Sequence, residues 1–143
     1  MECANSRLFV TDVNGLITKG RHNLSEMEET FYDLSCFAAG DSSLEGLSLL
    51  DTVKKIRPTI LIGLSGKGGI FTEDVLNAMT EYEKQPIIFA LSNPTSRSEC
   101  SAEQAQRATG GKAIFASGSP FPEVEVDGVM IASSQCNNRY ITL

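Results

Sequence analysis

The chain has 143 residues, 41% hydrophobic and 21% charged, ordinary proportions for a globular domain long enough to bury its own core. Its formal net charge of −6 argues against a general nucleic-acid binder, which needs a cationic surface to neutralise phosphates. No uninterrupted apolar run approaches the roughly 18 residues of a membrane span, and the polar opening Met1 to Arg7 carries no signal-peptide core.

The elements follow in alternation. Leu8 to Asp12 is a short β-rich run closed by a turn at Asn14-Gly15, with Leu16 to Thr18 briefly extended again. Residues 19 to 46 are polar and poorly periodic, contain Glu26, Glu28 and Glu29, and are expected to form a long surface excursion. Leu49, Leu50, Val53 and Ile56 recur at helical spacing until Pro58 stops the helix. Thr59 to Ile62 is a continuous apolar run, expected of a strand covered on both faces. The glycine-rich turn Gly63 to Gly69 leads to Thr72, a helix N-cap followed by Glu73 and Asp74; Val75, Met79 and Tyr82 form the apolar stripe. Pro86 to Leu91 is a second buried strand and ends in Ser92-Asn93-Pro94-Thr95-Ser96. Ser101 and Gln104 match a capping box for a helix reaching about Thr109, with Gly110 as its stop. Ala113 to Ser117 is a third strand, and Val124 to Ile131 reads as a β-hairpin turning at Asp127-Gly128.

Three strand–helix units imply a parallel sheet with right-handed crossovers, whose ligands sit outside the carboxyl ends of the strands. The polar clusters obey that rule: Asp12, Ser65 to Gly69, Ser92 to Ser96 and Ser117 to Ser119 each follow an apolar strand.

Each motif has a plainer competitor. An acid at a strand end, such as Asp12, can accept from ribose hydroxyls, but the fingerprint G-x-G-x-x-G belongs about 20 residues earlier and only eleven residues precede it. Asp12 can equally serve the Asn14-Gly15 turn. The phosphate-loop pattern fails because Gly69 stands where its lysine belongs, and G-x-G-x-x-G fails because Phe71 follows Gly66 and Gly68. Anion binding at the following helix and simple close packing both remain open. Asn93 and the pair Asn137-Asn138 can donate to carboxylates and accept from hydroxyls, or merely initiate turns. His22, beside Lys19 and Arg21, reads as a solvated side chain. Cys3, Cys36, Cys100 and Cys136 stand far apart; with one His they suggest no zinc site, and with no secretory signal they are expected to be reduced.

Taken together, Val10-Thr11-Asp12-Val13-Asn14-Gly15-Leu16-Ile17, Ile62-Gly63-Leu64-Ser65-Gly66, Ala90-Leu91-Ser92-Asn93-Pro94-Thr95-Ser96, Ala116-Ser117-Gly118-Ser119-Pro120-Phe121 and Gln135-Cys136-Asn137-Asn138 resemble, in this order, the malic enzymes. The resemblance covers about residues 7 to 141. It implies an α/β fold: a Rossmann-like, mostly parallel sheet with flanking helices, plus a C-terminal β-hairpin, the whole of residues 1–143 being part of the family's NAD(P)-binding domain. It also implies oxidative decarboxylation of L-malate to pyruvate and CO2 with NAD or NADP, and with Mg2+ or Mn2+ in the complete enzyme. Asn93, Asn137 and Asn138 would contact malate. Asp12, Ser65, Gly66, Gly68 and Asn93 would line the dinucleotide site.

Set against that family, the chain is expected to lack the first strand of its sheet, the glycine fingerprint, the catalytic Tyr and Lys, and the metal carboxylates. No catalytic or metal residue is therefore assigned within it, and the isolated chain is expected to be inactive. Uncharged Val13 and Asn14 beside Asp12, and the acids Glu26, Glu28 and Glu29, favour NAD; Lys19 and Arg21 are the counter-argument. The competing reading is a non-catalytic nucleotide-binding or oligomerisation module from a truncated gene. By resemblance the complete protein is a homo-oligomer, dimer or tetramer. The cytoplasm and, in a eukaryote, the mitochondrial matrix both suit it.

Overall fold

The structure, a computed structural model, describes residues 8–18, 21 and 41–136, and the chain divides into two units, residues 1–55 and 56–143. In the first unit, strands β1 (Thr11–Asp12) and β2 (Gly15–Leu16) form an antiparallel hairpin with Asp12 opposite Gly15. The turn is therefore Val13-Asn14, one residue earlier than the expected Asn14-Gly15. The cause is local. The Asn14 N–H donates to Asp12 Oδ1 at 2.8 Å, and Gly15 takes a φ of +98° at the start of the returning strand.

The surface excursion expected between residues 19 and 46 is anchored at its far end. The Leu16 N–H donates to the Leu47 carbonyl and the Gly46 N–H to the Leu16 carbonyl, both at 2.9 Å. A short 3-10 turn, Ser42–Leu44, capped by the Asp41 carboxylate, leads into this contact. His22, Glu26, Glu28 and Glu29 lie outside the described residues. Helix α1 (Leu49–Ile56) forms where the apolar spacing predicts it, with Asp51 in its first turn and Lys54 and Lys55 in its last complementing the helix dipole.

The second unit carries the parallel sheet. Strands β3 (Ile60–Gly63), β4 (Ile87–Ala90), β5 (Ile114–Ser117) and β8 (Ser134–Gln135) lie side by side in that order, all parallel. Helix α2 (Glu73–Thr80) connects β3 to β4, and α3 (Ala102–Ala108) connects β4 to β5. Right-handed crossovers that step in one direction put both helices on one face. The burial agrees: Leu61, Ile88 and Phe115 are in register and buried, as are Ala90 and Ser117 one step further.

The other face is less covered than the apolar run 59–62 suggests, for Ile60 and Ile62 are 47% and 48% exposed. An unbroken apolar run cannot reveal which of its faces is packed. Tyr82 also departs from expectation: it follows α2, is half exposed, and lies under the Arg57 guanidinium at 4.1 Å.

The caps are as read. Thr72 Oγ1 accepts from the Val75 N–H, and Ser101 with Gln104 forms a full capping box. The hairpin of β6 (Val124–Val126) and β7 (Val129–Ile131) turns at Asp127-Gly128, both with positive φ. Strand β8 was not expected. It is two residues long and extends the sheet beside β5.

Candidate functional site

Register alignment of β3, β4 and β5 brings their carboxyl ends level, at Gly63, Ala90 and Ser117. The three loops that leave these ends are hydrogen-bonded to one another. The Leu91 N–H donates to the Gly63 carbonyl and the Gly118 N–H to the Ala90 carbonyl, each at 3.0 Å. Ser65, Gly66, Gly68 and Asn93 thus belong to one rim, as the position rule for parallel sheets requires.

Asn93 is exposed at this rim and its amide is oriented. Oδ1 accepts from the Ser119 hydroxyl at 2.7 Å, and Nδ2 donates to the Leu91 carbonyl at 3.4 Å. The Ser119 carbonyl in turn accepts from the Ser117 hydroxyl at 2.6 Å. An amide nitrogen carries two N–H groups, so one remains for a ligand. Gly118 makes room for this arrangement: a Cβ there would stand 2.7 Å from Asn93 Nδ2 and closer still to the Leu91 carbonyl oxygen.

The glycine-rich loop does not offer a row of free amides. The N–H groups of Ser65, Gly66, Lys67 and Gly69 are donated to Glu99 Oε1, Ser92 Oγ, Ser65 Oγ and the Ser98 carbonyl. Helix α2 behind it carries Glu73 and Asp74 in its first turn, which repel an anion. Of the two readings open from the sequence, close packing fits and a phosphate cradle does not. Gly68 packs against the carbonyl of Ser96 at a distance no Cβ would tolerate, whereas Gly66 and Gly69 face open space.

Glu99 is the residue that sequence reasoning missed. It is 0% exposed, yet its carboxylate receives both the N–H and the O–H of Ser65 at Oε1 (3.1 and 3.2 Å), the Ser92 hydroxyl at Oε1, and the Ser92 N–H at Oε2 (3.2 Å). Nothing in Arg97-Ser98-Glu99-Cys100 marks a buried acid: hydrophobic periodicity does not single out Glu99, and the nearby Arg97 is exposed and not paired with it. Beside it the Cys100 thiol is pushed up to about 12, by burial first and by the Glu99 carboxylate second.

Asp12 lies in the first unit. Its Oδ1 accepts from Asn14 and its Oδ2 from Arg21 Nη1 at 2.7 Å. Arg21 also donates through Nε to Glu45 and through Nη2 to the Gly15 and Leu16 carbonyls. Glu45 Oε2 accepts both the N–H and the hydroxyl of Thr18 at 2.7 Å. Burial pushes the Glu45 carboxyl up, but the bonds from Thr18 and Arg21 outweigh it and hold the group below its usual value. Asp12 therefore serves its turn, as the plainer reading has it, while a carboxylate with four acceptor positions keeps capacity for a hydroxyl. Asn137 and Asn138, which follow β8, lie outside the described residues.

Two clefts lie away from the rim. One runs between the start of α3 and Phe121 to Glu125, the other between α2 and α3. The first is lined by Glu103, Glu123 and Glu125 with Arg107 as its one cation, and the second by Glu73 and Arg107 among uncharged residues. Among the described residues no three His, Cys, Asp or Glu side chains converge on a point that could hold a metal ion. The described residues thus do not fit the divalent metal that the resemblance implies. No helix among them is long and apolar enough to cross a membrane.

A parallel sheet with helices connecting its strands and polar loops at their carboxyl ends is a Rossmann-like α/β domain. Comparison with known proteins gives the family. The family model for the malic enzyme NAD-binding domain matches residues 1–142. Over 141 residues the chain is 46% identical to the NADP-dependent malic enzyme of Mus musculus, which covers 98% of this chain and 23% of that protein. It is 45% identical to the chloroplastic NADP-dependent malic enzyme of Solanum lycopersicum, covering 99% of this chain and 23% of that one. It is 44% identical to the mitochondrial NAD-dependent malic enzyme of Ascaris suum, over 98% of this chain and 20% of that one. This chain belongs to the malic enzyme family, in its NAD-binding domain. It spans about a fifth to a quarter of the length of these relatives.

Proposed function

We propose that this chain is part of the cofactor-binding domain of an enzyme that oxidises and decarboxylates L-malate to pyruvate and CO2 while reducing NAD. The observation that carries the reading is the Asn93 amide, fixed by Ser119 and Gly118 at the level of the glycine-rich lining. When bound, the dinucleotide accepts the hydride from malate. Asn93 offers an N–H to a malate carboxylate without adding charge, and Asn137 and Asn138 supply further amides to the same diacid. Ser65, Gly66 and Gly68 line the dinucleotide site, and Asp12 accepts from its adenosine ribose.

NAD is preferred over NADP because Arg21 is already engaged by Asp12 and Glu45 and is a poor partner for an added 2′-phosphate. Relatives of both cofactor types match at similar identity, 46% for an NADP-dependent and 44% for an NAD-dependent malic enzyme, so descent gives no support for NAD over NADP. The proton-transfer groups and the metal site of the reaction belong outside the described residues, and the complete enzyme is a homo-oligomer. Fluorescence titration of the enzyme carrying this chain with NADH and NADPH tests the cofactor reading: tighter NADH binding supports it, and tighter NADPH binding reverses the preference. The isolated chain with Mn2+ is expected to form no NADH from malate; turnover by it alone would show that this assignment of the chemistry is wrong.

A further inference from the structure

A buried acid is costly unless its oxygens are satisfied. Glu99 has no ion-pair partner among the described residues, and its oxygens are satisfied by two serines on two different loops. One, Ser65, sits in the glycine-rich lining. The other, Ser92, precedes Asn93. The Ser92 hydroxyl donates to Glu99 and accepts from the Gly66 N–H at 2.8 Å, so the position of Gly66 is also referred to this carboxylate. The backbone repeats the tie: the Ser98 carbonyl accepts from Gly69 and the Glu99 carbonyl from Phe71, each at 3.0 Å. Both ends of the lining are thereby fastened to residues 98–99. Gly63 is required for the side chain to pass, since a Cβ there would stand 2.5 Å from Glu99 Cγ and Cδ.

We propose that Glu99 is a positioning residue that sets the spacing between the dinucleotide lining and the Asn93 amide without touching either ligand. The inference rests on the proposed function for the identity of the ligands. The two oxygens of Glu99 suit this place because two backbone N–H groups and two hydroxyls face them. In Glu99→Gln the amide oxygen can serve the three donors now at Oε1, but the NH2 group then opposes the Ser92 N–H. The Asn93 side gives way first.

The test uses the enzyme carrying this chain, with Glu99→Gln and Glu99→Ala compared by steady-state kinetics, NADH titration and amide hydrogen exchange. Glu99→Gln is expected to raise the KM for malate about tenfold, the order of one lost hydrogen bond to a charged group, with a smaller change in NADH affinity. Glu99→Ala weakens both ligands, and the Gly66 and Ser92 amides exchange faster together. A Glu99→Gln enzyme with unchanged KM and NADH affinity, or faster exchange confined to one loop, overturns the proposal. If the unsubstituted enzyme binds neither ligand, the functional reading fails, while the exchange arm still decides whether Glu99 couples the loops. Should the Glu99 variants not fold, Ser92→Ala serves: faster exchange at Gly66 with a raised KM for malate supports the tie, and an unaltered Gly66 amide refutes it.

Discussion

Glu45 and Glu99 both tie loops to a strand end, one in each unit, but they face different partners. Glu45 shares the Arg21 guanidinium with Asp12 and takes two further bonds from Thr18. Glu99 takes four bonds from neutral serine groups and has no cation beside it among the described residues. The first arrangement answers to salt and acid, because its strength comes from opposed charges that water reaches in part. The second answers to shape, because a methyl group in the wrong place removes it. The first unit therefore guards a charge pattern around the hairpin of Asp12, and the second guards distances at the rim.

The contrast can be broken most forcefully at Gly118. Gly118→Ala drives a Cβ into the Leu91 carbonyl and the Asn93 amide. It is expected to destabilise the second unit by about 1–3 kcal/mol and to weaken malate binding, as read by urea unfolding and by KM. A well-folded variant with normal KM would mean that the Asn93 position is not held by contact.

Next in size is Arg21→Met, which leaves Asp12 and Glu45 without their shared cation. A loss of about 2 kcal/mol is expected in the first unit, seen as faster exchange of the Thr18 amide. The exposed pair Glu103–Arg107 on α3 is the control, and Arg107→Ala should cost only a few tenths of a kcal/mol.

Acid comes third. The Glu45 carboxyl titrates below its ordinary 4.5 in the folded unit, so its contribution is complete above that value and fades as pH falls through the lower folded one. Protection of the Thr18 amide should decline in that range, and Glu45→Gln should flatten the decline. The smallest effect concerns Cys100, whose thiol is pushed up to about 12 and is buried. Iodoacetamide at pH 8 should label it only as fast as the unit unfolds, whereas labelling faster than unfolding would mean an open path to the Glu99 neighbourhood.

Local grammar made most of the fold legible. Thr72, the Ser101–Gln104 box and Asp127-Gly128 act on backbone within a few residues, so their patterns carry their own meaning. The parallel order of β3, β4 and β5 followed from alternation, and the rim position of Ser65, Gly66, Gly68 and Asn93 followed from that order. What stayed hidden depends on partners distant in sequence. Strand β8 has two residues and exists only because β5 offers an edge. The return of residues 44–47 to Leu16 is written in neither segment alone. Glu99 is an unmarked acid between Ser98 and Cys100 until the loops from β3 and β4 close around it.

The proposed function puts the dinucleotide and the diacid side by side at the rim of the second unit. Amide and side-chain NMR shifts of the enzyme carrying this chain, titrated with NADH and then with malate, test it most directly. NADH should move Ser65, Gly66 and Gly68, and malate should then move the Asn93 side-chain NH2 with Ser119 following. Shifts confined to the clefts around α3, with Asn93 and Gly66 unmoved by both ligands, would contradict it.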